Sequence, residues 1–208
     1  MKIIDASVSL ESEPDPTRVM NLIERAGRVC YKSEDRISEG SAEKLIRNII
    51  ARGHESVLEH ASVTFKVICD RGVSHELVRH RIASYSQEST RYCNYAGGKF
   101  GGELTFIRPC FWHEDDRNYA RWLETMSMLE KTYVDMISDG ATPQEARSIL
   151  PNSLKTEIFV TMNLREWRHF LRLRTDKKAH PQMREVALRI YEILIEKLPV
   201  IFADIKVD

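Results

Sequence analysis

The chain has 208 residues, 42% hydrophobic and 30% charged, enough for one domain with a sizeable core or for two small ones, and ordinary for a soluble globular protein. Its 31 basic residues balance 31 acidic ones, which argues against wholesale nucleic-acid binding but allows local basic pockets for small anions. No apolar run approaches the ~20 residues of a membrane span, and Met1 to Ala6 lacks the long apolar region of a signal peptide, so a cytoplasmic protein is expected.

Ile4, Ala6, Val8 and Leu10 alternate with more polar residues and predict a strand. Asp15-Pro16 reads as an N-cap followed by a first-turn proline, opening a helix that carries Val19, Leu22, Ile23, Ala26 and Val29. Ser41 is expected to cap a second helix with Leu45, Ile46, Ile49 and Ile50, closed by Gly53. Val63, Phe65, Val67 and Cys69 alternate as a half-buried strand, Asp70-Arg71-Gly72 reads as a turn, and a short helix with Val73, Leu77 and Val78 follows. Gly97-Gly98 and Gly101-Gly102 bracket a flexible loop ahead of a short strand, Leu104 to Ile107. The clearest helix covers 114–138, with Tyr119, Trp122, Met126, Leu129 and Tyr133 as core. Thr142-Pro143-Gln144-Glu145 reads as a capping box for a helix ended by Pro151. Leu154 to Val160 is strand-like, and helices over about 164–174 and 182–197 precede Pro199. With no repeats and no linker, the pattern predicts a single α+β domain over 1–208, with a mixed or antiparallel sheet packed by helices.

Cys30, Cys69, Cys93 and Cys110 have neither close pairing nor metal-like spacing, and are read as small apolar fillers. His54, Glu55, Glu59 and His60 crowd into seven residues, but neither a His-Glu-x-x-His order nor a third ligand is present, so no metal is expected.

The most informative stretch runs from Arg79 to Tyr92. Three arginines, His80 and the hydroxyls of Ser84, Ser86, Ser89 and Thr90 fall within thirteen residues. Arginine's planar fork suits phosphate and carboxylate, and hydroxyls add short-range donors, so the patch is built to hold an anion with several oxygens. A second candidate lies at Asn163 to Arg174. Asn163 is a good N-cap, and Leu164, Trp167, Phe170 and Leu171 form one apolar arc at 100° per residue. Arg174 falls within that arc and is expected to be desolvated and aimed inward. Such a charge is costly unless an anion meets it, either a structural carboxylate or a bound substrate.

Arg79-His80-Arg81, seven residues, then Ser89 resembles the signature of the flavin-dependent thymidylate synthases. The same family carries segments like Gly53-His54-Glu55-Ser56, Ala146-Arg147 followed by Leu150-Pro151, and Asn163 to Arg174, in this order. The resemblance runs from about Gly53 to Gln182. It implies conversion of dUMP to dTMP, with 5,10-methylenetetrahydrofolate as carbon donor, FAD carrying the hydride and NADPH replenishing it, in a homotetramer whose sites are shared between subunits. Carried over residue by residue, it gives FAD the contacts Ser56, Arg79, His80, Arg81, Gln87, Asn163, Arg165 and His169. It gives dUMP the contacts Glu76, Arg79, Gln87, Glu88, Ser89, Arg91, Arg147 and Arg174. Arg174 and His54 take the catalytic roles, His54 lining the cofactor or folate side. Gln87 and His169 vary within the family.

Two rivals are weaker. A cysteine-dependent thymidylate synthase would use Pro109-Cys110, but Cys110 is followed by Phe111-Trp112 rather than the expected His. A nucleic-acid-binding module would use Arg79, Arg81, Arg91 and the arginines of 165–174, against zero net charge and without a known binding motif.

Overall fold

The computed structural model describes residues 1–207. Its chain-order elements are β1 (Lys2–Ile4), β2 (Ser7–Leu10), α1 (Pro16–Val29), α2 (Ser41–Ala51), β3 (Ser62–Asp70), α3 (Arg71–Leu77) and β4 (Ala83–Gln87). There follow β5 (Thr105–Ile107), α4 (Arg117–Ser138), α5 (Pro143–Ala146), β6 (Lys155–Asn163), α6 (Leu164–Arg174), α7 (Pro181–Lys197) and α8 (Pro199–Phe202). The result is a mixture of helices and sheet, with a four-stranded sheet in the order β2-β3-β6-β4 and a small parallel pair of β1 and β5. Thr64 meets Thr161 through their hydroxyls at 2.9 Å, and the Arg71 N–H reaches the Leu154 carbonyl at 3.1 Å. Numbers that rise along β3 thus fall along β6, so this central pair is antiparallel.

Two strand-to-helix junctions use the same local chemistry. The last residue of β3, Asp70, accepts the Val73 N–H at 2.8 Å and caps α3. The last residue of β6, Asn163, accepts the Glu166 N–H at 2.8 Å and caps α6. Each strand therefore passes into its helix without a loop, because its final side chain satisfies an orphan donor of the first turn. Asp15 does the same for α1, accepting from the Arg18 N–H at 3.0 Å ahead of Pro16. The capping box of α5 forms as expected, with the Glu145 carboxylate accepting the Thr142 N–H at 2.8 Å.

Several expectations are corrected. The strand expected over 4–10 breaks into β1 and β2. Gly40, at φ 72°, occupies the cap position expected for Ser41, because the Ser41 hydroxyl is used elsewhere, accepting from the Ser38 N–H and donating to the buried Glu24 at 2.7 Å. The turn expected at 70–72 is the start of α3. Strand β4 alternates only weakly, with Ala83 and Tyr85 between serines, and is held by its place in the sheet. Helix α4 begins at Arg117 rather than 114, since the Asp116 carboxylate first closes a turn on the His113 N–H. Cys69 is buried and Cys93 half-buried, but Cys30 and Cys110 are exposed and fill no core.

Close contacts divide the chain into two compact units. The first contains 1–7, 67–79 and 86–158; the second contains 8–66, 80–85 and the chain from 159 onward. The first is built around Leu104, Phe106, Tyr119, Trp122, Met126, Tyr133 and Leu154. In the second, α1 packs on α2 and α6 on α7. Trp167 is fully buried there, its ring edge-on to Phe65 at 5.1 Å and its N–H on the Val63 carbonyl at 3.0 Å.

Candidate active site

In the second unit, the first turn of α6 begins a buried polar chain. With its N–H taken by Asn163, Glu166 turns its carboxylate to His80, whose Nδ1 lies 3.2 Å from Oε1. On the other side of the ring the Arg174 Nε–H donates to His80 Nε2 at 3.2 Å. Arginine offers no acceptor, so Nε2 must carry the lone pair and Nδ1 the proton that points at Glu166; the hydrogen-bond network assigns this tautomer. His80 is 4% exposed, edge-on to Phe170 at 5.0 Å and tilted against His169 at 5.7 Å. Burial pushes its imidazole below the usual pKa; Glu166 pulls the other way, and the charges of Arg174 and His169 add to the depression. The Tyr85 hydroxyl donates to the His80 carbonyl at 2.6 Å, and burial with nearby Glu166 raises that phenol to about 12.

Beside this chain is a cavity of about 350 Å³, lined by Glu55, Glu59, Ile82, Asn163, Arg165, Glu166, His169 and Arg172. Its arginines are met by the protein's own carboxylates: Arg165 by Glu59 at 2.5 Å and Arg172 by Glu55 at 2.9 Å. Burial alone would raise the Glu55 carboxyl, but the Arg172 hydrogen bond and the Arg168 charge outweigh it and hold it below the ordinary range. Asn163, Arg165 and His169, three of the residues expected on FAD, thus come together on one cavity. His54 and Ser56 are exposed on either side of the lining residue Glu55, and Arg81 is exposed next to the lining residue Ile82.

The arginine expected to be most buried is corrected. Arg174 is half-buried, whereas Arg168, six residues earlier, is 0% exposed. Arg168 meets Asp204 at 2.6 Å and Glu55 at 3.1 Å, and also donates to the Ile201 carbonyl. The apolar arc is wider than the periodicity suggested, because α6 is covered on more than one side, by α7 and by the turn at Glu55–His60. Sequence reasoning missed both Glu166 and Arg168. Glu166 sits at the third helical position after Asn163, where it reads as an ordinary capping-box acid.

His80, Glu166 and His169 also bring three possible metal-ligand atoms within 4.8 Å of one another. In the tautomer assigned by these bonds His80 aims a proton at Glu166 and spends its lone pair on Arg174, so it offers that cluster no donor electrons.

The first unit holds Glu76, Arg79, Gln87, Glu88, Ser89, Arg91 and Arg147. Glu88 accepts from the Tyr95 hydroxyl at 2.6 Å and from Lys155 Nζ at 2.8 Å. Burial and then the Glu88 carboxylate push the Tyr95 phenol well above its usual range. The Gln87 amide donates to Ser74 Oγ at 2.9 Å and Thr156 Oγ1 at 3.1 Å. Arg79, Arg91 and Arg147 are exposed; Arg91 donates to Gln144 at 3.3 Å and lies over the Tyr92 ring. The Ser89 hydroxyl accepts the Arg91 N–H at 3.3 Å and makes no hydrogen bond to a histidine or carboxylate among the described residues. An activated serine nucleophile needs such a base.

The family described as thymidylate synthase complementing protein matches residues 14–200. The flavin-dependent thymidylate synthase of Pyrococcus furiosus is 41% identical over 177 residues, 85% of this chain and 72% of the relative. That of Geobacter sulfurreducens is 35% identical over 202 residues, 94% of this chain and 84% of the relative. Among solved structures, the UMP/dUMP methylase PolB from Streptomyces cacaoi bound with 5-Br dUMP has the same fold, with a TM-score of 0.80 at 24% identity over 98% of this chain and 96% of that one.

Proposed function

This chain belongs to the flavin-dependent thymidylate synthase family, and from that premise we infer that it methylates dUMP to dTMP, with FAD as cofactor. The observation that carries this is the family match over 14–200, which contains every motif named above. On this reading the carbon comes from 5,10-methylenetetrahydrofolate and the reducing equivalents from NADPH. The assembly is a homotetramer with sites shared between subunits. No described helix is long and apolar enough to cross a membrane; a cytoplasmic location is part of this reading.

The donor set of the 350 Å³ cavity fits part of a flavin dinucleotide. Arg165 and Arg172 offer planar forks for phosphate oxygens, and His169 and Asn163 are polar groups suited to a ring edge. The volume lies at the low end for drug-sized ligands, so it suits one part of the cofactor, with Ser56, Arg79, Arg81 and Gln87 serving the rest; both ring nitrogens of His80 are taken by Glu166 and Arg174, so it supports the site through those two residues. When bound, FAD supplies the hydride chemistry, and the protein supplies binding and electrostatics. On the nucleotide, Arg91 and Arg147 meet the phosphate, Ser89 positions rather than attacks, and Glu76, Arg79, Gln87 and Glu88 complete the contacts. Uracil must become electron-rich at its fifth carbon before it attacks an electrophilic one-carbon unit. Arg174, held against buried His80, places a fixed positive charge beside the third ring nitrogen and stabilises the ionised, enolate-like form. His54 lines the folate side.

The test is the visible spectrum of the purified protein together with dTMP formation from dUMP, methylenetetrahydrofolate and NADPH. Flavin absorbance and turnover are expected, and replacing Arg79, His80 and Arg81 together by Ala should leave folded, colourless protein. Stoichiometric FAD in that variant would refute the flavin contacts. A colourless wild type with salt-sensitive DNA or RNA binding would instead favour the nucleic-acid reading. Light scattering should report four chains; an active monomer would remove the shared-site assembly.

A further inference from the structure

The buried chain Glu166–His80–Arg174 does more than anion binding requires. Glu166 and Arg174 lie at opposite ends of α6, eight residues and about 12 Å apart along its axis, and are bridged by one imidazole brought from outside the helix. We propose that Glu166 is a positioning residue: acting through His80, it sets the plane of the Arg174 guanidinium for activation of the pyrimidine. This rests on the reading of Arg174 as the group that stabilises the ionised uracil.

The argument starts from what each group is able to do. Arginine only donates, so Arg174 Nε needs an acceptor, and a neutral imidazole has one donor and one acceptor to distribute. The carboxylate at Nδ1 fixes which nitrogen accepts. A carboxylate behind an imidazole also raises the basicity of the far nitrogen, as it does for metal-bound histidines. The ring cannot turn without losing both bonds, and it is wedged against the Phe170 edge. Preorganised charge acts best when its orientation is settled before the reaction. Protonation of His80 would convert Nε2 into a donor, set two cations together and break the contact with Arg174. The charged and titratable groups around His80 are Glu166, His169 and Arg174 on α6 and Tyr85 on β4, whose hydroxyl bonds the His80 carbonyl. Burial, Arg174 and His169 together keep the imidazole neutral at pH values where an ordinary histidine begins to charge.

The experiment compares holoenzyme carrying Glu166→Ala, Glu166→Gln, His80→Gln and Arg174→Ala, reading flavin content, KM for dUMP, and kcat against pH. Glu166→Ala should keep its flavin, lose about tenfold in kcat, and move the acid limb of the kcat profile to lower pH, because the carboxylate no longer holds the His80 proton. Glu166→Gln, which retains an acceptor oxygen without the charge, should lose less in kcat and shift the limb in the same direction. His80→Gln offers Arg174 an acceptor that does not titrate, so the limb should vanish. Should Glu166→Ala fail to fold, nitrogen NMR of the wild-type His80 ring decides with the Gln variant. Protonated Nδ1 with an accepting Nε2 supports the proposal, and protonated Nε2 overturns it. A slow Arg174→Ala beside a Glu166→Ala of wild-type rate and pH profile also overturns it, leaving the role of Arg174 standing. Wild-type turnover in Arg174→Ala removes the parent reading itself.

Discussion

The two units handle their charged residues in opposite ways. In the second, the buried groups Glu166, His80 and Arg168 are each answered: Glu166 holds His80, His80 holds Arg174, and Arg168 lies between Asp204 and Glu55. In the first, Glu88 sits in such a network with Tyr95 and Lys155, and Gln87 bonds Ser74 and Thr156, while Arg79, Arg91 and Arg147 are exposed. Desolvated groups give up hydration on folding and are oriented in advance. Exposed arginines keep their water until an anion arrives, and attract it at a distance that salt shortens. On the proposed reading, one unit orients and the other captures.

The largest effect that would break this contrast concerns Arg168. Asp204→Ala leaves a fully buried guanidinium with Glu55 and one carbonyl, and should cost about 3 kcal/mol, measured by denaturant unfolding. A loss below about 0.5 kcal/mol means that water replaces Asp204 and that the second unit is not so dry. Next, Arg174→Ala should keep FAD while turnover under saturating dUMP falls about a hundredfold; Lys at that position keeps the charge but not the fork, and should not restore the rate. In the first unit, Tyr95→Phe removes a hydrogen bond to charged Glu88 and should lower stability by about 1.5–3 kcal/mol.

Acid sharpens the comparison further. The folded His80 value lies below 6.5, so between the two values the unfolded chain binds more protons and stability falls as pH drops below 6.5. Glu55 and Asp204 are depressed from 4.5 and 3.8, Asp204 chiefly by its Arg168 hydrogen bond; their contribution is complete above those values and is lost as pH falls through the folded ones. Unfolding followed between about pH 7 and pH 4 should show the first decline, and His80→Gln should remove it. The smallest effect on stability belongs to Arg91→Ala and Arg147→Ala, within about 0.5 kcal/mol. Both should raise KM for dUMP, and added salt should raise the wild-type KM in the same direction. Salt-insensitive KM would show that these arginines do not capture the phosphate.

Much of the architecture was legible along the chain because it depends on neighbours. Asp15-Pro16, Thr142 with Glu145, and Asn163 ahead of an apolar arc are local capping chemistry, and each helix starts where those residues place it. The motifs around Arg79 to Ser89, Arg147 and Asn163 to Arg174 were equally visible, being runs of residue types at short spacing. Strand β4 was not, since Ala83 and Tyr85 among serines are too weak an apolar pattern to predict a strand without a partner.

The sequence by itself determined the family, the anion-holding chemistry, and the segments that carry it. Only the tertiary structure decided which arginine is fully buried between carboxylates and which is half-buried against His80. Periodicity placed Arg174 on the apolar arc but could not say that α7 and the Glu55–His60 turn also cover Arg168, nor that two carboxylates wait there. Nor could it join Glu166 to His80, 86 residues apart in the chain. A hydrogen bond depends on where two groups lie in space, and for groups so far apart in sequence the fold alone sets that distance.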